Sequence, residues 1–519
     1  MMVWEDILST AAVGTERQEV VLAPGDGELG RALHRLDPSD REGALLAAVA
    51  LAALYRRAGF QPALDRQPLP EACAADEVPC CSDEAGQHLA LMLEGGFKEV
   101  LPEWLVALRK AGRRVPADHL PALLDRGRAE QSLRPLIINV TGNRGCWLAT
   151  QNDEWRWASG GAAGDTWETG NRHERLFLLR ALRETDPERA RELLSSTWKS
   201  EVARDRLSFL EILLTGLNPS DEPFLSETLQ DRSAEVRRMG GEILLRLSSS
   251  HLRETVSDKV GSLFSYHKPL LGKARIEVSL PGDPEKWQKE NQVQLEVPAT
   301  GAVSKHLGRK GWWLLHAVGW VPPMSWCRLW SRKPVEVLEA ARNSEWKAAI
   351  IAGLITAAGR YGDAEWVEAI LSDRQLREEN LREANANLSE LGSHLPAARL
   401  EALILDELAR EKKGLHVDHP ALWLLLEHRQ EWSGELSRAV VAGIKERIGG
   451  GRKNELMEWQ LKAALKQFAL YVLPALADEL SADWPADADG WWQDAVDEFQ
   501  SVLRFRRDML RAILKEGNN

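Results

Sequence analysis

Four side chains that could bind zinc lie close together in the first hundred residues. They are Cys73, Cys80, Cys81 and His88. Thiolate and imidazole groups are the ligands that structural zinc sites use. The spacing is not that of a C-x-x-C knuckle, however, and two adjacent cysteines rarely bind the same ion. Free cysteines also pack well as small buried apolar side chains. We therefore expect free thiols here, with no metal and no cofactor.

The motifs of common enzymes give no support for catalysis. The sequence has no G-x-x-x-x-G-K-[ST] loop, and no predicted strand leads into a G-x-G-x-x-G turn. It also lacks the H-E-x-x-H zinc motif and the G-x-S-x-G nucleophile elbow. The stretch Gly449 to Lys453 follows no strand and is interpreted as a connector between helices. No catalytic residue is predicted, although distant side chains that converge in space could still form a hidden hydrolase site.

Five tryptophans crowd a short stretch around the turn Val321-Pro322-Pro323. They are Trp312, Trp313, Trp320, Trp326 and Trp330. Trp312, His316 and Trp320 are four residues apart and so share one face of a helix. The rings suit two roles, because they could form an aromatic plug inside the fold or anchor a partner protein at its surface. The five tryptophans are therefore candidate partner-binding residues.

The composition is that of a folded protein with an unusual number of tryptophans. Of 519 residues, 21 are tryptophan and only four are tyrosine. The formal net charge of −12 gives no general attraction to nucleic acid or to anionic membranes. The longest apolar run, Gly43 to Tyr55, is shorter than the roughly 20 residues of a transmembrane helix and predicts a buried helix that begins near Ser39 or Asp40. Five cysteines and no visible secretory signal predict a cytoplasmic protein.

Helices joined by short turns account for most of the chain, and one block of them repeats. Asp186-Pro187 and Asn218-Pro219 both have the pattern of a helix N-cap followed by a proline at the first helical position. The tetrapeptide EILL occurs at 211–214 and again at 242–245. The interval between the two copies is long enough for one pair of helices. A repeat of this size, with two helices in each unit, predicts an α-solenoid of helical hairpins.

The second copy of this repeat resembles the signature of HEAT-like repeats. Asp231 lies five residues before Val236 and six before Arg237, which is the spacing seen in such repeats. Gly240 and Gly241 stand where neighbouring helices approach closely. The resemblance implies that Asp231 and Arg237 join a ladder of hydrogen bonds between repeats, which is a structural role and not a binding site.

A β-prone insertion interrupts the helices near the middle of the chain. Two alternating runs, Arg275 to Leu280 and Val293 to Val297, flank turn residues at 281–284 and predict a short β-hairpin or an extended strap. The last helix, Val502 to Lys515, is basic and amphipathic, so it either caps the helical array or touches an acidic partner or a membrane.

The predicted fold is therefore all-α, a HEAT-like solenoid with one inserted hairpin or strap. Four segments are expected, namely an N-terminal helical region at 1–140, the repeat block at 141–265, the insertion at 266–308 and C-terminal helical repeats at 309–519.

Several stretches resemble a bacterial family known only as a domain of unknown function. They are ILSTAAVGTER at 7–17, GCWLATQNDEWRWA at 145–158, the HEAT-like block, and GWWLLHAVGWVPPMSW at 311–326. The resemblance spans nearly the whole chain and carries over no catalytic residue. It implies a gene neighbourhood with an AAA+ ATPase, a von Willebrand A-type protein and a SWIM zinc-finger protein, and the first two are the expected partners.

The expected function is a non-catalytic scaffold for protein–protein interaction, associated with a bacterial AAA+ ATPase system. An elongated helical array offers a long surface for partners without needing catalytic residues. The alternative is a nucleic-acid-binding solenoid that lines one face with arginine and tryptophan. Residues 221–246 hold six acidic and four basic residues, so the clearest repeat is not a basic stripe. Binding to DNA or RNA that weakens with salt would distinguish the two.

Overall fold

The chain divides after Ala72 into two units, unit 1 (Met1–Ala72) and unit 2 (Cys73–Asn519). The residues described in this computed structural model are 2–19, 27–59, 70–159, 167–168, 170–291, 293, 295–298, 304–376, 391–411, 414–450, 455–485 and 490–514. None of the described helices combines the length and the hydropathy that crossing a bilayer requires.

Unit 1 contains helices α1 (Met2–Val13), α2 (Glu28–Leu33) and α3 (Arg41–Ala58). α3 begins where the sequence predicts, because the Asp40 side chain accepts a hydrogen bond from the Gly43 N–H at 2.9 Å. Its buried face consists of Ala44, Ala48 and Ala52, which are four residues apart. These small side chains allow α1 and α2 to pack against α3.

Unit 2 starts with a group of helices, continues with helical hairpins and a β-hairpin, and ends with a longer series of helices. The first group is α4 (Asp83–Leu93), α5 (Leu101–Lys110), α6 (Leu120–Ala129) and α7 (Arg134–Gln151). The next six helices are three consecutive pairs along the chain, which we call hairpins. They are α8 (Arg172–Thr185) with α9 (Pro187–Thr197), α10 (Ala203–Leu213) with α11 (Glu222–Thr228), and α12 (Ala234–Arg246) with α13 (His251–Gly261). The strands β1 (Phe264–His267) and β2 (Arg275–Val278) follow.

The rest of unit 2 is helical. Its helices are α14 (Pro284–Glu290), α15 (Ser304–Trp320), α16 (Pro323–Trp330), α17 (Pro334–Arg342), α18 (Lys347–Tyr361), α19 (Ala364–Ser372), α20 (Ala397–Arg410), α21 (Pro420–Glu427), α22 (Gly434–Gly449), α23 (Glu455–Phe468), α24 (Ala477–Ser481) and α25 (Gln493–Leu514). Short 3-10 turns occur at Lys98–Val100, Ala117–His119, Gln131–Leu133, Asp153–Ala158, Pro219–Asp221, Gly392–His394 and Pro474–Leu476.

The predicted fold class is confirmed, because the described residues are predominantly helical with one short antiparallel hairpin. The hairpin that the sequence allows between the runs at 275–280 and 293–297 is wrong. β2 pairs with β1, with Phe264 opposite Val278, and not with the run at 293–297. Asp283 caps α14 instead of belonging to a hairpin turn, because its side chain accepts hydrogen bonds from the Glu285 and Lys286 N–H groups at 3.0 and 3.1 Å.

The helical hairpins repeat at the period that the sequence predicts. Their first helices begin at Arg172, Ala203 and Ala234, which are equally spaced along the chain at the interval of the two EILL copies. α8 packs on α10 and α10 packs on α12, while α9 packs on α8, and α11 and α13 both pack on α12. A Cβ atom at Gly240 would lie 1.8 Å from Thr228 Oγ1, so only glycine fits where α11 meets α12.

A fully buried arginine joins the first two hairpins. Arg183 donates to both carboxylate oxygens of Asp221 at 2.9 and 2.7 Å, and neither side chain is exposed to solvent. Burial alone would raise the pKa of Asp221, but hydrogen bonds from Arg183, the Asn218 N–H and Arg191 outweigh it and hold the pKa below its ordinary value. The charged pair therefore fixes how the two hairpins pack.

The last helix of unit 2 returns to the first helices of the unit. α25 packs on α4 and α5, and its Phe505, Met509 and Ile513 belong to their hydrophobic core. Arg506 is buried and donates to both carboxylate oxygens of Glu103 in α5 at 2.6 and 2.8 Å. The apolar face of the basic amphipathic helix is thus buried within unit 2.

Two of the three predicted segment boundaries coincide with glycines that interrupt a helix. The boundary at 140/141 lies beside Gly142 in α7, and the boundary at 308/309 lies at Gly308 in α15. Both glycines have a φ of 65°, which favours glycine. The boundary at 265/266 falls inside β1. The four segments themselves stay a prediction.

Candidate partner-binding site

The predicted tryptophan cluster lies mostly in the interior of unit 2. Trp313, Trp320 and Trp326 are 5%, 1% and 2% exposed, whereas Trp312 and Trp330 are partly exposed. α15 carries the first three of the five tryptophans and α16 carries the other two. A partner can therefore reach only Trp312 and Trp330 without unpacking the core.

The second half of the cluster packs against the β-hairpin. The Trp326 ring meets Phe264 of β1 edge to face, with 4.7 Å between ring centroids, and stacks on Trp330 at 5.2 Å. Trp330 in turn lies 5.7 Å from Tyr266, also in β1. These rings form an aromatic plug between α16 and the hairpin, which is the structural role that the sequence allows for them.

Trp312 and Trp313, in the first half of the cluster, pack beside Val293 and residues 295–298, which follow α14. The Trp312 Nε1–H donates to the Pro298 carbonyl oxygen at 2.9 Å, and the Trp313 Nε1–H donates to Gln288 Oε1 at 3.2 Å. Gln288 also donates to the Leu295 carbonyl oxygen at 2.7 Å. Buried Val293 and Leu295 complete the apolar side of this contact. These residues are thus held against α14 and α15 by side-chain hydrogen bonds instead of strand pairing.

A groove of about 800 Å³ opens at this contact, between the repeat block, α14 and α15. We name it the Trp312 groove. Its lining includes Leu229, Arg237, Lys289, Glu296, Pro298 and Trp312. Apolar walls with a few fixed polar groups are typical of surfaces that bind an extended ligand or peptide.

Two ion pairs border the Trp312 groove, so that positive and negative side chains both line it. Arg237 Nε lies 2.7 Å from Glu296 Oε1, and Arg309 Nη2 lies 3.0 Å from Glu285 Oε1. Side chains fixed in this way offer both hydrogen-bond donors and acceptors to a partner. The groove is therefore mixed in charge and does not form a basic stripe.

A partly buried histidine packs against Trp312. The rings of His316 and Trp312 meet at right angles, with 4.7 Å between their centroids. His316 Nε2 is buried and has no hydrogen-bond partner among the described residues. Burial, together with the charges of Arg360 and Arg238, lowers the pKa of His316 to about 4. The imidazole is therefore neutral at pH 7 and acts as an apolar support for the Trp312 ring.

Arginines at the repeat period form rungs between consecutive hairpins. Arg206 Nη1 lies 2.8 Å from Asp231 Oδ2, and Arg175, at the equivalent position one repeat earlier, pairs with Glu201. Asp231 thus accepts from the arginine of the preceding hairpin. Arg237, the next arginine in the series, donates to the Asp231 carbonyl oxygen at 2.7 Å and reaches Glu296, which follows α14 in the chain. The ion pair of the third arginine, between Arg237 and Glu296, therefore lines the Trp312 groove.

The four side chains that could bind zinc are placed in different surroundings. Cys81 is buried, Cys73 and Cys80 are partly buried, and His88 packs edge to face on Phe505 with 5.3 Å between the rings. In the part of the chain that the structure describes, no group of three or more histidine, cysteine or carboxylate side chains is arranged to hold a metal ion.

Val293 and residues 295–298 belong to the second β-prone run, for which the sequence left a hairpin strand or an extended strap open; among the described residues it pairs with neither strand. Its alternation of apolar and polar residues is the same in a paired strand and in an isolated extended segment, so the pattern could not tell them apart. The usable signal in the sequence is the apolar side chains of Val293 and Leu295, which need a partner surface on one side and which the structure buries.

A family model describes the same span of chain. The model of a family of unknown function, DUF5691, matches residues 6–513. The chain belongs to this family. The predicted membership of a family of unknown function is therefore confirmed, and the family model extends from α1 in unit 1 to α25 in unit 2. Searches of curated proteins and of solved structures find no match.

Proposed function

We propose that the protein is a non-catalytic, cytoplasmic scaffold that binds partner proteins. The observation that carries this proposal is the Trp312 groove. It lies between the repeat block, α14 and α15, and a partly exposed tryptophan of α15 lines it. Tryptophans in preformed concave sites dominate the energetics of many protein interfaces. Because Trp312 is fixed through its Nε1–H and backed by His316, little side-chain entropy is lost when a partner binds it.

A second surface of different chemistry supports the same function. In unit 1, Leu46 and Leu54 are 70% and 65% exposed and lie on one face of α3, eight residues apart. Ala50, also exposed, lies between them on that face. Exposed leucines aligned along one helix mark a surface that a partner helix can cover. A scaffold needs at least two such surfaces, one for each protein that it brings together.

The partners proposed are an AAA+ ATPase and a von Willebrand A-type protein from the same gene neighbourhood, as the family resemblance implies. The Trp312 groove presents ion pairs and a tryptophan, so it suits an extended segment with both polar and apolar side chains. The apolar face of α3 suits an amphipathic helix. This assignment rests on the proposed scaffold function.

The proposal is tested by capturing the tagged protein from its native host under mild crosslinking, with and without nuclease. We expect an AAA+ ATPase or a von Willebrand A-type protein to be recovered equally with and without nuclease. Trp312→Ala should lower this recovery about tenfold or more, because truncating a central tryptophan typically costs about 2 kcal/mol of binding free energy. Trp459→Ala, which truncates an exposed tryptophan of α23 far along the chain, is the matched control.

Melting temperatures of both variants show whether a loss of recovery reflects unfolding. Lys289→Glu provides a second variant, because Lys289 is exposed at the rim of the Trp312 groove and its substitution leaves the core intact. Recovery of partners that disappears with nuclease would favour the nucleic-acid alternative. Equal recovery by the wild type, Trp312→Ala and Lys289→Glu would remove the groove from the proposal.

A further inference from the structure

A second cavity in unit 2 collects arginines from four helices. It has a volume of about 440 Å³ and is separate from the Trp312 groove. Arg246 comes from the end of α12, Arg253 from α13, Arg328 from α16 and Arg360 from the end of α18. Tyr361 and His394 lie beside them. We name this cavity the Arg246 pocket.

The positive charge of the Arg246 pocket is only partly neutralised by the protein. Among the described residues, neither Arg246 nor Arg328 has a carboxylate within ion-pair distance. Arg360 pairs with Glu242 at 3.4 Å, but Glu242 is not part of the pocket lining and also binds Arg238 at 3.2 Å. Asp363 is the carboxylate in the lining, and it caps α19 by accepting a hydrogen bond from the Trp366 N–H at 3.3 Å. Four guanidinium groups thus share two carboxylates, Asp363 in the lining and Glu242 beside Arg360.

Contacts within the protein hold several of these groups in place. The Arg253 guanidinium lies over the Tyr361 ring at 5.2 Å, and Tyr361 is fixed because its hydroxyl donates to the Trp320 carbonyl oxygen. Arg360 is fixed in the same way by donating to the Gly319 carbonyl oxygen. Gly362 has a φ of 61°, and a Cβ there would lie 3.3 Å from His394 Nδ1. Arg253, Arg360 and Tyr361 are therefore in place before any ligand binds.

The pKa of Arg246 reflects the surroundings of this pocket. Although Arg246 reaches water at the mouth of the pocket, desolvation by the surrounding protein and then the charge of Arg360 lower its pKa. A bound anion would relieve this repulsion and would accept the free N–H groups of Arg246 and Arg328. Arginine is the side chain best suited to hold phosphoryl oxygens, since its planar fork donates two parallel hydrogen bonds.

We propose that the Arg246 pocket binds a small molecule that carries phosphoryl groups. Its volume is within the range of small-molecule sites, and Pro322, Pro323 and Met324 supply an apolar wall for the organic part of such a ligand. A pocket of this size admits a pyrophosphate or a mononucleotide but not a folded polynucleotide. The site is independent of the proposed scaffold function, because its residues do not line the Trp312 groove.

The test uses isothermal titration calorimetry on the full-length protein at low salt, with pyrophosphate, ADP and adenosine as probes. We expect one saturable site for pyrophosphate and for ADP, no binding of adenosine, and affinity that falls as salt is added. Arg246→Gln combined with Arg328→Gln should weaken pyrophosphate binding at least tenfold, because two charge-assisted contacts are lost. Arg180→Gln combined with Arg204→Gln makes the same change of charge at two exposed arginines of the repeat block and should leave the affinity unchanged.

Met324→Glu places a carboxylate in the pocket and provides a variant that keeps all four arginines. It should also abolish pyrophosphate binding, while the melting temperature shows that the protein is folded. Pyrophosphate binding that both pocket variants leave unchanged would overturn the proposal. So would binding of citrate but of no phosphoryl compound, or binding of single-stranded DNA without any binding of pyrophosphate or ADP.

Discussion

Arginine has three different roles in this protein, and its partners decide which one applies. Arg183 is fully buried and donates to Asp221 and to backbone carbonyl oxygens, so it holds two hairpins together. Arg206 forms a rung between hairpins through Asp231. Arg246 has no ion-pair partner among the described residues and faces other arginines across a cavity. An arginine with its hydrogen bonds satisfied is structural, whereas one left without an anion is a candidate for ligand binding.

The sequence could indicate the structural arginines but not the binding ones. Spacing within one repeat is enough to select Asp231 and Arg237, and the repeat period relates Arg237 to Arg206 and Arg175. Such residues recur, so a pattern reveals them. Arg246 and His394 lie in distant parts of the chain and follow no common pattern. Only the packing of α12, α16 and α18 brings this pocket together.

At the residue scale, the partly buried His316 gives a prediction about pH. Its pKa of about 4 lies below the ordinary value of 6.5, so protonation is more favourable in the unfolded chain than in the folded one. The stability that the neutral imidazole contributes is complete above pH 6.5 and is lost as the pH falls from 6.5 towards 4. The free energy of unfolding should decrease by about 3 kcal/mol over this interval, since one pKa unit corresponds to about 1.4 kcal/mol.

The measurement is an NMR titration of the His316 ring protons, which are assigned by comparison with the His316→Leu variant. A midpoint near pH 4 is expected, and urea denaturation should show that His316→Leu loses less stability than the wild type between pH 6.5 and pH 4. A titration midpoint near 6.5 would mean that the ring is solvated and does not support Trp312.

At the scale of secondary structure, local signals were reliable where the chain itself determines the outcome. Asp186 and Asn218 cap helices as predicted, because a cap depends only on a side chain and the next few N–H groups. The pairing of β2 was not predictable in this way. β1 and the run at 293–297 are both candidate partners of β2 by sequence, and the choice between them depends on Trp326 packing against Phe264 and on Gln288 holding Leu295. These are contacts between residues far apart in the chain.

α25 provides a prediction about how unit 2 is held together. Arg506 donates to Glu103 and, at 2.7 Å, to the carbonyl oxygens of both Ala469 and Val472. Arg506→Met leaves Glu103 and both carbonyl groups without this donor, so we expect the free energy of unfolding to fall by about 3 kcal/mol. Arg504→Met is the control, because Arg504 is exposed and, among the described residues, donates only to the Gln500 side chain; the expected loss is below about 1 kcal/mol.

Urea denaturation measures both losses, and hydrogen exchange locates them. In Arg506→Met, the backbone amides of α4 and α5 should exchange faster, because α25 packs on these helices. If the two substitutions lower stability equally, Arg506 does not connect the last helix to the first helices of unit 2.

At the scale of the whole molecule, the two units have separate hydrophobic cores. Ile7, Leu33, Ala48 and Ala52 form the core cluster of unit 1, and none of them belongs to the clusters of unit 2. The division after Ala72 was not predicted from the sequence, which places the first boundary at 140/141. The helical patterns on both sides of Ala72 are alike, so periodicity alone gives no sign of where one core ends and another begins.

Separate cores predict that residues 73–519 fold without unit 1. The fragment should show helical circular dichroism and cooperative unfolding, because all three core clusters of unit 2 are retained. It should bind pyrophosphate as tightly as the full chain, since every residue of the Arg246 pocket is present, but it should lose any partner that binds Leu46 and Leu54 of α3.

A fragment that starts at Val115 is the control. It lacks α4 and α5, so Phe505 loses its stacking with Phe97 and Arg506 loses Glu103, and it should aggregate. Aggregation of the 73–519 fragment as well would show that unit 2 depends on unit 1, and the scaffold would then have to be treated as one folding unit.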